Sequence, residues 1–174
     1  MTLLIQCDGT AFHCLRVGPH VAMEVLTSGT SWAAPLGVRS ARLRPAGGGA
    51  GGCAATSGSP GSAGGYLEAY IATTPGASYT YSIGAAGAAG GAGGTTTFTA
   101  NGITYTSTGA GAASTYGQST PGSSYGGSIN ARGNTGEAVQ MGSPNFEGAS
   151  SPIGYGSGGR TNNPGTAGGI VLEY

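Results

Sequence analysis

The chain has 174 residues, enough for one domain of ordinary size or one domain with an appendage, and 38 of them are glycine. Six arginines, no lysine and six acidic residues give a net charge of zero, which does not favour binding to nucleic acid or to an anionic membrane. No apolar run approaches the ~20 residues that span a bilayer, and "MTLLIQCDGT" lacks the features of a secretory signal. We expect a protein that is made in a cytosol, binds no nucleic acid and is not inserted into a membrane.

Residues 1–23 are predicted to form an N-terminal β-hairpin that serves for attachment. In "LLIQCDGTAFHC" the pair Asp8-Gly9 lies between two candidate strands and is typical of a two-residue turn with positive φ. Such a turn places Cys7 opposite Thr10. One face of the hairpin is then apolar and consists of Leu3, Ile5, Cys7, Phe12 and Cys14. Because two strands are marginally stable by themselves, we expect the hairpin to dock on the following domain, a copy of itself or a larger partner.

The three cysteines, Cys7, Cys14 and Cys53, do not indicate a disulfide framework because their number is odd. We expect reduced thiols that pack as small apolar side chains. His13 and His20 lie near the first two cysteines, but the spacing matches no standard zinc pattern. We therefore expect no metal and no other cofactor.

The next candidate strands are "VAMEVLTS" (21–28) and "VRSARLRPA" (38–46). The second does not divide into a clean apolar and a clean polar face, because arginine occurs at both alternating sets of positions. We predict an edge strand or an interface strand that Pro45 ends. This interpretation, together with the separate hairpin, favours assembly of the chain with copies of itself.

Four later segments have the composition of strands, with Thr, Tyr, Ile and Val dominant. They are residues 65–74, 78–83, 95–107 and 169–174. Within the third, Asn101-Gly102 predicts a two-residue hairpin turn. No stretch of ten residues has a helical apolar period free of Gly and Pro. The predicted fold class is all-β: a small β-sandwich or jelly-roll-like set of strands with glycine-rich loops, in addition to the N-terminal hairpin.

Between the later strands, glycine often recurs at every third residue. This spacing occurs at 84, 87, 90 and 93 in "GAAGAAGGAGG", at 58, 61 and 64, at 133 and 136, and at 165 and 168. Three residues per turn is the period of a polyproline II helix, whose backbone N–H and C=O groups point sideways. With glycine facing a neighbour, such helices can approach to about 4.8 Å and bond to each other through the backbone. We predict that residues 84–94 form one rod in a lattice of polyglycine II helices.

Other interpretations compete with this lattice. Glycine-rich tracts are also typical of plain loops and linkers, and the sequence leaves compact turns as an alternative to polyglycine helices. Collagen is excluded because the Gly-X-Y run lasts at most four triplets and contains little proline. A silk-like fibre is excluded because the Gly-Ala repeats are short and are often interrupted by Tyr, Asn, Arg and Pro.

Three blocks of the chain carry the pattern of a known family. In "EVLTSGTSWAAPLGVRSARLRPAGGGAGG" (24–52) the matching residues are Ser28-Gly29-Thr30, Trp32, Pro35, Gly37-Val38 and Arg42. The other blocks are "GGYLEAYIATTPGASYTYSIGAAG" (64–87) and "GGIVLEY" (168–174). Residues 24–174 thereby resemble the glycine-rich domain of bacteriophage tail fibre and tail-tip adhesin proteins. The chain departs from that family in having alanine at many tract positions and Leu43-Arg44-Pro45 where an aromatic strand end is common.

The resemblance implies a distal fibre or tip protein of a tailed phage that contacts the host cell surface. Such a protein is made in the host cytoplasm and resides in the virion tail. Its partners would be a bacterial receptor, either a polysaccharide or a surface protein, and other phage tail proteins bound through residues 1–23. Because fibres are usually trimers, we expect a homo-oligomer and favour a trimer.

Variable loops at about 110–164 are the predicted receptor-binding region. A scaffold held by backbone hydrogen bonds leaves its loop side chains free to vary, and Tyr, Arg and Asn on a Gly/Ser background are typical of adaptable binding surfaces. The candidate receptor-binding residues are Tyr116, Tyr125, Arg132, Asn134, Phe146, Tyr155 and Arg160, with Asn130, Asn145, Asn162 and Asn163 between them. The alternative for each aromatic residue is that it fills a gap between glycine rods.

The sequence does not indicate an enzyme. The six acidic residues are scattered, and they neither show nor exclude the paired carboxylates that a polysaccharide-cleaving enzyme needs. The run "GGGAGG" lacks the Lys and Ser/Thr of a phosphate-binding loop. The alternative to an adhesin is therefore a purely structural virion component that contacts only other phage proteins.

Overall fold

The structure, a computed structural model, describes residues 2–7, 12–17, 22–54, 58–114, 119–135 and 155–174. These residues form twelve strands and no helix, which confirms the predicted all-β class. The strands are β1 (Thr2–Cys7), β2 (Phe12–Val17), β3 (Met23–Leu26), β4 (Ser31–Ala33), β5 (Ser40–Ala46), β6 (Tyr66–Ala72), β7 (Ser78–Ser82), β8 (Thr96–Ala100), β9 (Ile103–Ser107), β10 (Ser124–Tyr125), β11 (Ile129–Ala131) and β12 (Gly169–Glu173).

Strands β1 and β2 form the predicted two-stranded antiparallel sheet at the N-terminus. Its register differs from the prediction, because Cys7 lies opposite Phe12 and not opposite Thr10. The predicted two-residue turn is therefore wrong: the strands are joined across residues 8–11, which lie outside the described residues. A register shift of two residues leaves the pleat in phase, so local alternation could not distinguish the two pairings.

The other ten strands form two antiparallel sheets of five strands that pack face to face. Sheet I has the order β10-β9-β8-β7-β4, and sheet II has the order β11-β6-β5-β12-β3. The core between them combines residues from both sheets, among them Trp32, Leu43, Leu67, Phe98 and Leu172. This arrangement is the predicted small β-sandwich, and burial of these large apolar side chains is its main stabilising contribution.

Strand β5 corrects the prediction of an edge or interface strand that Pro45 ends. It is the middle strand of sheet II, between β6 and β12, and Pro45 lies inside it opposite Ile170. The pairing with β6 passes from Leu43–Ala69 to Ala46–Tyr66 across the proline, which has no N–H to donate. Arginine is accommodated in a central strand because carboxylates on both neighbouring strands pair with it, as described below.

The turn at Asn101-Gly102 agrees with its prediction. Ala100 pairs with Ile103, which leaves a two-residue loop between β8 and β9. Both loop residues have positive φ, 53° at Asn101 and 77° at Gly102, as a type I′ turn requires. The Asn101 side chain also donates from Nδ2 to the carbonyl oxygen of Ala72 at 2.9 Å, which ties the turn to sheet II.

Beyond the strands, the glycine tracts form a bundle of rods, here called the glycine lattice. Its central rod is the segment 47–53, which continues β5. The N–H groups of this rod donate in turn to three neighbouring segments, with N···O distances between 2.8 and 3.0 Å. The donor–acceptor pairs are Gly47–Gly65, Gly48–Gly94, Gly49–Thr166, Ala50–Ser62, Gly51–Gly91, Gly52–Asn163 and Cys53–Ser59. Every third residue thus faces the same neighbour, which is the period of polyglycine II.

The carbonyl groups of the central rod accept hydrogen bonds from three further segments. The donor–acceptor pairs are Gly87–Gly49, Gly90–Gly52, Gly159–Ala50, Asn162–Cys53 and Ala110–Gly48. Among the described residues, the central rod therefore has six neighbouring segments, three that accept from it and three that donate to it. This pattern confirms the predicted lattice and distinguishes it from a set of independent compact turns.

Glycine is needed in the central rod because neighbouring backbones approach too closely for a side chain. A Cβ atom on Gly51 would lie 1.8 Å from the carbonyl oxygen of Ala88, and one on Gly52 would lie 1.9 Å from that of Arg160. Backbone atoms cannot move aside without breaking lattice hydrogen bonds, so these positions exclude every residue with a Cβ.

The segment 84–94 corrects the prediction of one continuous rod. It forms two antiparallel rods, because Gly90 has a φ of 72° and the N–H of Gly91 donates back to the carbonyl of Ala88 at 2.7 Å. The predicted spacing of three holds within the first rod, where Gly87 and Gly90 donate to the central rod. A reversal needs one residue with positive φ, and a tract made of glycine and alanine offers several positions for it.

Candidate functional site

The glycine lattice has an inner end at the strands and an outer end where its rods reverse. At the outer end Asn162 donates its N–H to the carbonyl of Cys53 at 2.7 Å, and Gly90 donates to Gly52 at 2.6 Å. The end of the central rod at Cys53 and the turns around Gly90 and Asn162 therefore lie side by side. We call this surface the lattice tip and define it by residues 53–54, 88–90 and 160–163.

The turn around Asn162 carries the polar, exposed side chains of the lattice tip. Arg160, Asn162 and Asn163 are exposed, whereas the hydroxyl of Thr161 donates to the carbonyl of Gly58 at 2.9 Å. Asn162 has a φ of 59°, a left-handed conformation that asparagine adopts more readily than most residues. The turn thus presents a guanidinium and amide groups to solvent, which together can bond hydroxyl, carbonyl or phosphate oxygens.

The predicted receptor-binding residues are not gathered at one place. Tyr116 and Phe146 lie outside the described residues. Arg160 belongs to the lattice tip, whereas Tyr155 lies near the inner end, where the adjacent Gly156 donates its N–H to Ala167. At about 3.1 Å per residue, the five-position separation between Tyr155 and Arg160 spans about 15 Å.

Tyr155 has a packing role in the structure. A Cβ atom on Gly169 would lie 2.7 Å from Cγ of the Tyr155 ring, so the ring covers the backbone at the start of β12. Its side chain is half-buried in consequence. This is the gap-filling alternative that the sequence left open for the aromatic residues.

Tyr125, Arg132 and Asn134 lie beside the sandwich, on and after the hairpin that joins the two sheets. Tyr125 is 60% exposed on β10, the edge strand of sheet I. The neighbouring Ser124 hydroxyl donates to the carbonyl oxygens of Tyr66 and Ala131, which fastens β10 to sheet II. Arg132 and Asn134 are exposed, and the Asn134 carbonyl accepts from the N–H of Ala63. These three exposed residues are not part of the lattice tip, and we call them the second exposed surface.

A network of ion pairs covers the centre of the outer face of sheet II. Arg42 donates to Glu68 at 2.5 Å and to Glu173 at 3.2 Å, and Arg44 also pairs with Glu173. The Tyr66 hydroxyl donates to Glu68 at 2.6 Å. The hydrogen bonds from Tyr66 and from Arg42 lower the pKa of the Glu68 carboxyl, whereas burial and the bond to Glu68 raise the pKa of Tyr66 to about 12.

Glu24, the remaining acidic residue in the described part of the chain, faces the core. Its Oε2 accepts from Trp32 Nε1 at 2.8 Å and from the Tyr174 hydroxyl at 3.2 Å. The described residues contain no group of three or more His, Cys, Asp or Glu side chains that could hold a metal ion. The carboxylates seen here are thus held by structural partners.

The sequence named the residue types of the lattice tip but missed its position. Asn162 and Asn163 were among the candidate polar residues, yet only the hydrogen bonds to Cys53 and Gly52 place them beside two other turns. The period of three could have located the turn, because it stops between residues 159 and 165. The ion-pair network carries no comparable local signal, since its members lie on three strands distant in sequence.

No protein-family model matches this chain, and a search of the curated proteins finds no match. Within the described ranges, no helix is long and apolar enough to cross a membrane.

Proposed function

We propose that this chain is a bacteriophage tail fibre or tail-tip protein that binds the bacterial cell surface as a receptor-binding adhesin. It acts in the virion tail after synthesis in the host cytoplasm, and it binds its receptor without chemical change. The observation that carries the proposal is that, in the glycine lattice, the groups that hold the rods together differ from the groups that are exposed at the lattice tip. The rods are held by backbone hydrogen bonds, and the exposed side chains of Arg160, Asn162 and Asn163 lie where those rods reverse.

This separation suits recognition of a receptor that changes between hosts. Substitution of an exposed tip side chain leaves the backbone bonds of the rods in place, so the surface can change without loss of the fold. Arginine and asparagine can bond the hydroxyl and phosphate oxygens of a surface polysaccharide or the backbone of a surface protein. The second exposed surface, with Tyr125, Arg132 and Asn134, offers an aromatic ring beside polar groups.

A purely structural role in the virion tail is the second candidate function. It is favoured by apolar exposure on β3, the edge strand of sheet II, where Met23 is 64% exposed and Val25 is also exposed. An edge strand with apolar side chains is suited to contact with another chain. Such a contact would serve a homotrimer or a neighbouring tail protein, and the N-terminal segment 1–23 leads directly into this same strand.

An adsorption competition tests the adhesin proposal. Purified protein is incubated with the bacteria that the parent phage infects before phage is added. We expect wild-type protein to block adsorption, and we expect Arg160→Ala combined with Asn162→Gly to raise the blocking concentration at least about tenfold, as loss of about 1.4 kcal/mol would. Glycine at 162 retains the left-handed backbone conformation, so the change acts on the side chain.

Two control variants make this result specific. Thr80→Ala alters an exposed residue of sheet I and should block like wild type. Tyr125→Ala combined with Arg132→Ala reports on the second exposed surface. If folded, soluble wild-type protein does not block adsorption at any concentration, the adhesin proposal is wrong and the structural role takes its place.

A further inference from the structure

The outer face of sheet II contains a cleft that none of the features above explains. It has a volume of about 370 Å³ and is lined by Ser40, Ala41, Arg42, Tyr70, Glu173 and Tyr174. Arg42 on β5 lies directly opposite Tyr70 on β6 and Glu173 on β12, so one row across the three central strands supplies three of the six lining residues. The volume falls within the about 300–1,000 Å³ that is usual for small-molecule sites. We call it the Tyr70 cleft.

The charges around the Tyr70 cleft cancel. Arg42 is paired with Glu68 and Glu173, and Arg44 is paired with Glu173, so two cations face two carboxylates. The terminal Nη groups of Arg42 and Arg44 donate to Glu68 and Glu173, whereas their Nε atoms are buried without a hydrogen-bond partner in the described part of the chain. An ionic ligand would have to separate these pairs, whereas an uncharged ligand would not.

Tyr70 gives the cleft an exposed aromatic wall. It is 76% exposed, whereas Tyr79 and Tyr81 pack in the core. The other groups around the cleft supply both hydrogen-bonding senses: Ser40 has a hydroxyl, Arg42 has N–H donors and Glu173 has acceptor oxygens. An exposed ring beside donors and acceptors matches a ligand with one apolar face and several hydroxyls.

We propose that the Tyr70 cleft binds one pyranose ring of an uncharged saccharide. The C–H face of the sugar packs on the Tyr70 ring, whose negatively polarised face attracts the C–H bonds. The sugar hydroxyls bond to Ser40, Arg42 and Glu173 without displacing the ion pairs. This inference does not rest on the proposed tail function, because sugar binding is measured on the purified protein.

Saturation-transfer NMR with defined sugars tests the proposal. The uncharged probes are methyl β-glucoside, methyl β-galactoside and N-acetylglucosamine, and the charged probes are glucuronate and glucosamine, each at about 5 mM, since a single ring is expected to bind with about millimolar affinity. We expect transfer to at least one uncharged probe, strongest at its ring C–H protons, and weaker transfer to the charged probes.

Three variants locate the binding site. Tyr70→Ala should weaken binding of the positive probe at least about tenfold through loss of the aromatic wall, and Ser40→Ala should weaken it about threefold through loss of one hydrogen bond. Leu36→Ala, at a residue 89% exposed and not among the lining residues, is the matched control and should bind like wild type. Both Tyr70 and Ser40 are exposed, so the melting temperatures should stay close to that of wild type.

Several results would overturn the saccharide proposal. These are absence of transfer to every uncharged probe, stronger transfer to glucuronate than to the glucoside, or unchanged affinity in folded Tyr70→Ala. Analytical sedimentation of the wild type is a further test of the saccharide proposal. If the wild type forms an oligomer and Tyr70→Ala dissociates it, the cleft is covered by a second copy of the chain and the saccharide proposal is wrong. Failure of this proposal leaves the adsorption experiment unaffected, because that experiment varies the lattice tip.

Discussion

At the scale of single residues, glycine in the central rod is specified by contacts with backbone atoms. Gly51 donates to Gly91, and its Cα faces the carbonyl oxygen of Ala88 so closely that a Cβ atom would lie 1.8 Å away. We expect Gly51→Ala to lower the free energy of unfolding by at least about 2 kcal/mol, because the clash forces two rods apart and weakens their hydrogen bonds. Chemical denaturation followed by Trp32 fluorescence measures this change.

Gly111 provides the matched control for that substitution. It also lies in a tract, but a Cβ atom there would be 3.4 Å from its nearest neighbour, Cβ of Thr120. We expect Gly111→Ala to change the free energy of unfolding by no more than about 0.5 kcal/mol. If Gly51→Ala and Gly111→Ala changed the free energy of unfolding equally, glycine at position 51 would not be required for close packing of the rods.

At the scale of elements, three strands of sheet II are joined by the ion pairs on its outer face. Arg42 on β5 connects Glu68 on β6 with Glu173 on β12, which allows a central strand to carry two arginines. Both arginine side chains are partly exposed, so the individual pairs contribute little free energy at neutral pH. Their main structural role is to pair the arginine side chains that β5 carries in the middle of the sheet.

The acid sensitivity of sheet II should depend on Glu68. Its folded-state pKa is lowered below the ordinary 4.5 by hydrogen bonds from Tyr66 and Arg42, so its stabilising contribution is complete above about pH 4.5 and is lost as the pH falls through the lower folded value. We expect Glu68→Gln to be less stable than wild type at pH 7 and to lose less stability on acidification. Thermal unfolding from about pH 6 to about pH 3 measures both effects.

The variant Thr80→Ala, on sheet I, is the control and should keep the acid profile of wild type. If Glu68→Gln loses as much stability between pH 6 and pH 3 as wild type does, the carboxylate is not held by Tyr66 and Arg42 in solution.

At the scale of the whole molecule, the glycine lattice and the β-sandwich share one hydrogen-bonded frame. The central rod continues β5 and bonds to segments that continue strands of both sheets. We therefore expect the amide hydrogens of Gly48, Gly49 and Gly51 to exchange about as slowly as that of Leu43 in the sandwich core. Hydrogen exchange followed by NMR measures the protection of each amide.

If the glycine tracts were flexible loops, their amide hydrogens would exchange differently from those of a hydrogen-bonded lattice. A tract that is only flexible connection would exchange its amides within the first minutes, with free energies of opening near zero. Rapid exchange at Gly48, Gly49 and Gly51 beside slow exchange at Leu43 would therefore contradict the lattice.

The spatial grouping of the proposed receptor-binding residues could not be predicted from the sequence, and the reason is geometric. Residue types such as Tyr, Arg and Asn on a glycine background indicate a surface suited to binding, but their spatial grouping depends on which rods are neighbours. Arg160 and Tyr155 lie close in sequence, yet one is at the lattice tip and the other packs on Gly169 near the strands. The Tyr70 cleft gave no sequence signal, because Arg42, Tyr70 and Glu173 meet only through strand pairing.

The sequence by itself determined what depends on local backbone preference. Most strand segments follow from side-chain composition and alternation, although the short strands β4, β10 and β11 lie outside the predicted segments. The type I′ turn follows from Asn101-Gly102, and the glycine period of three indicates rods that bond sideways. Only the tertiary structure decided the central place of β5, the reversal at Gly90 and the six neighbours of the central rod. These features depend on hydrogen bonds and ion pairs between residues far apart in the chain, which no local pattern encodes.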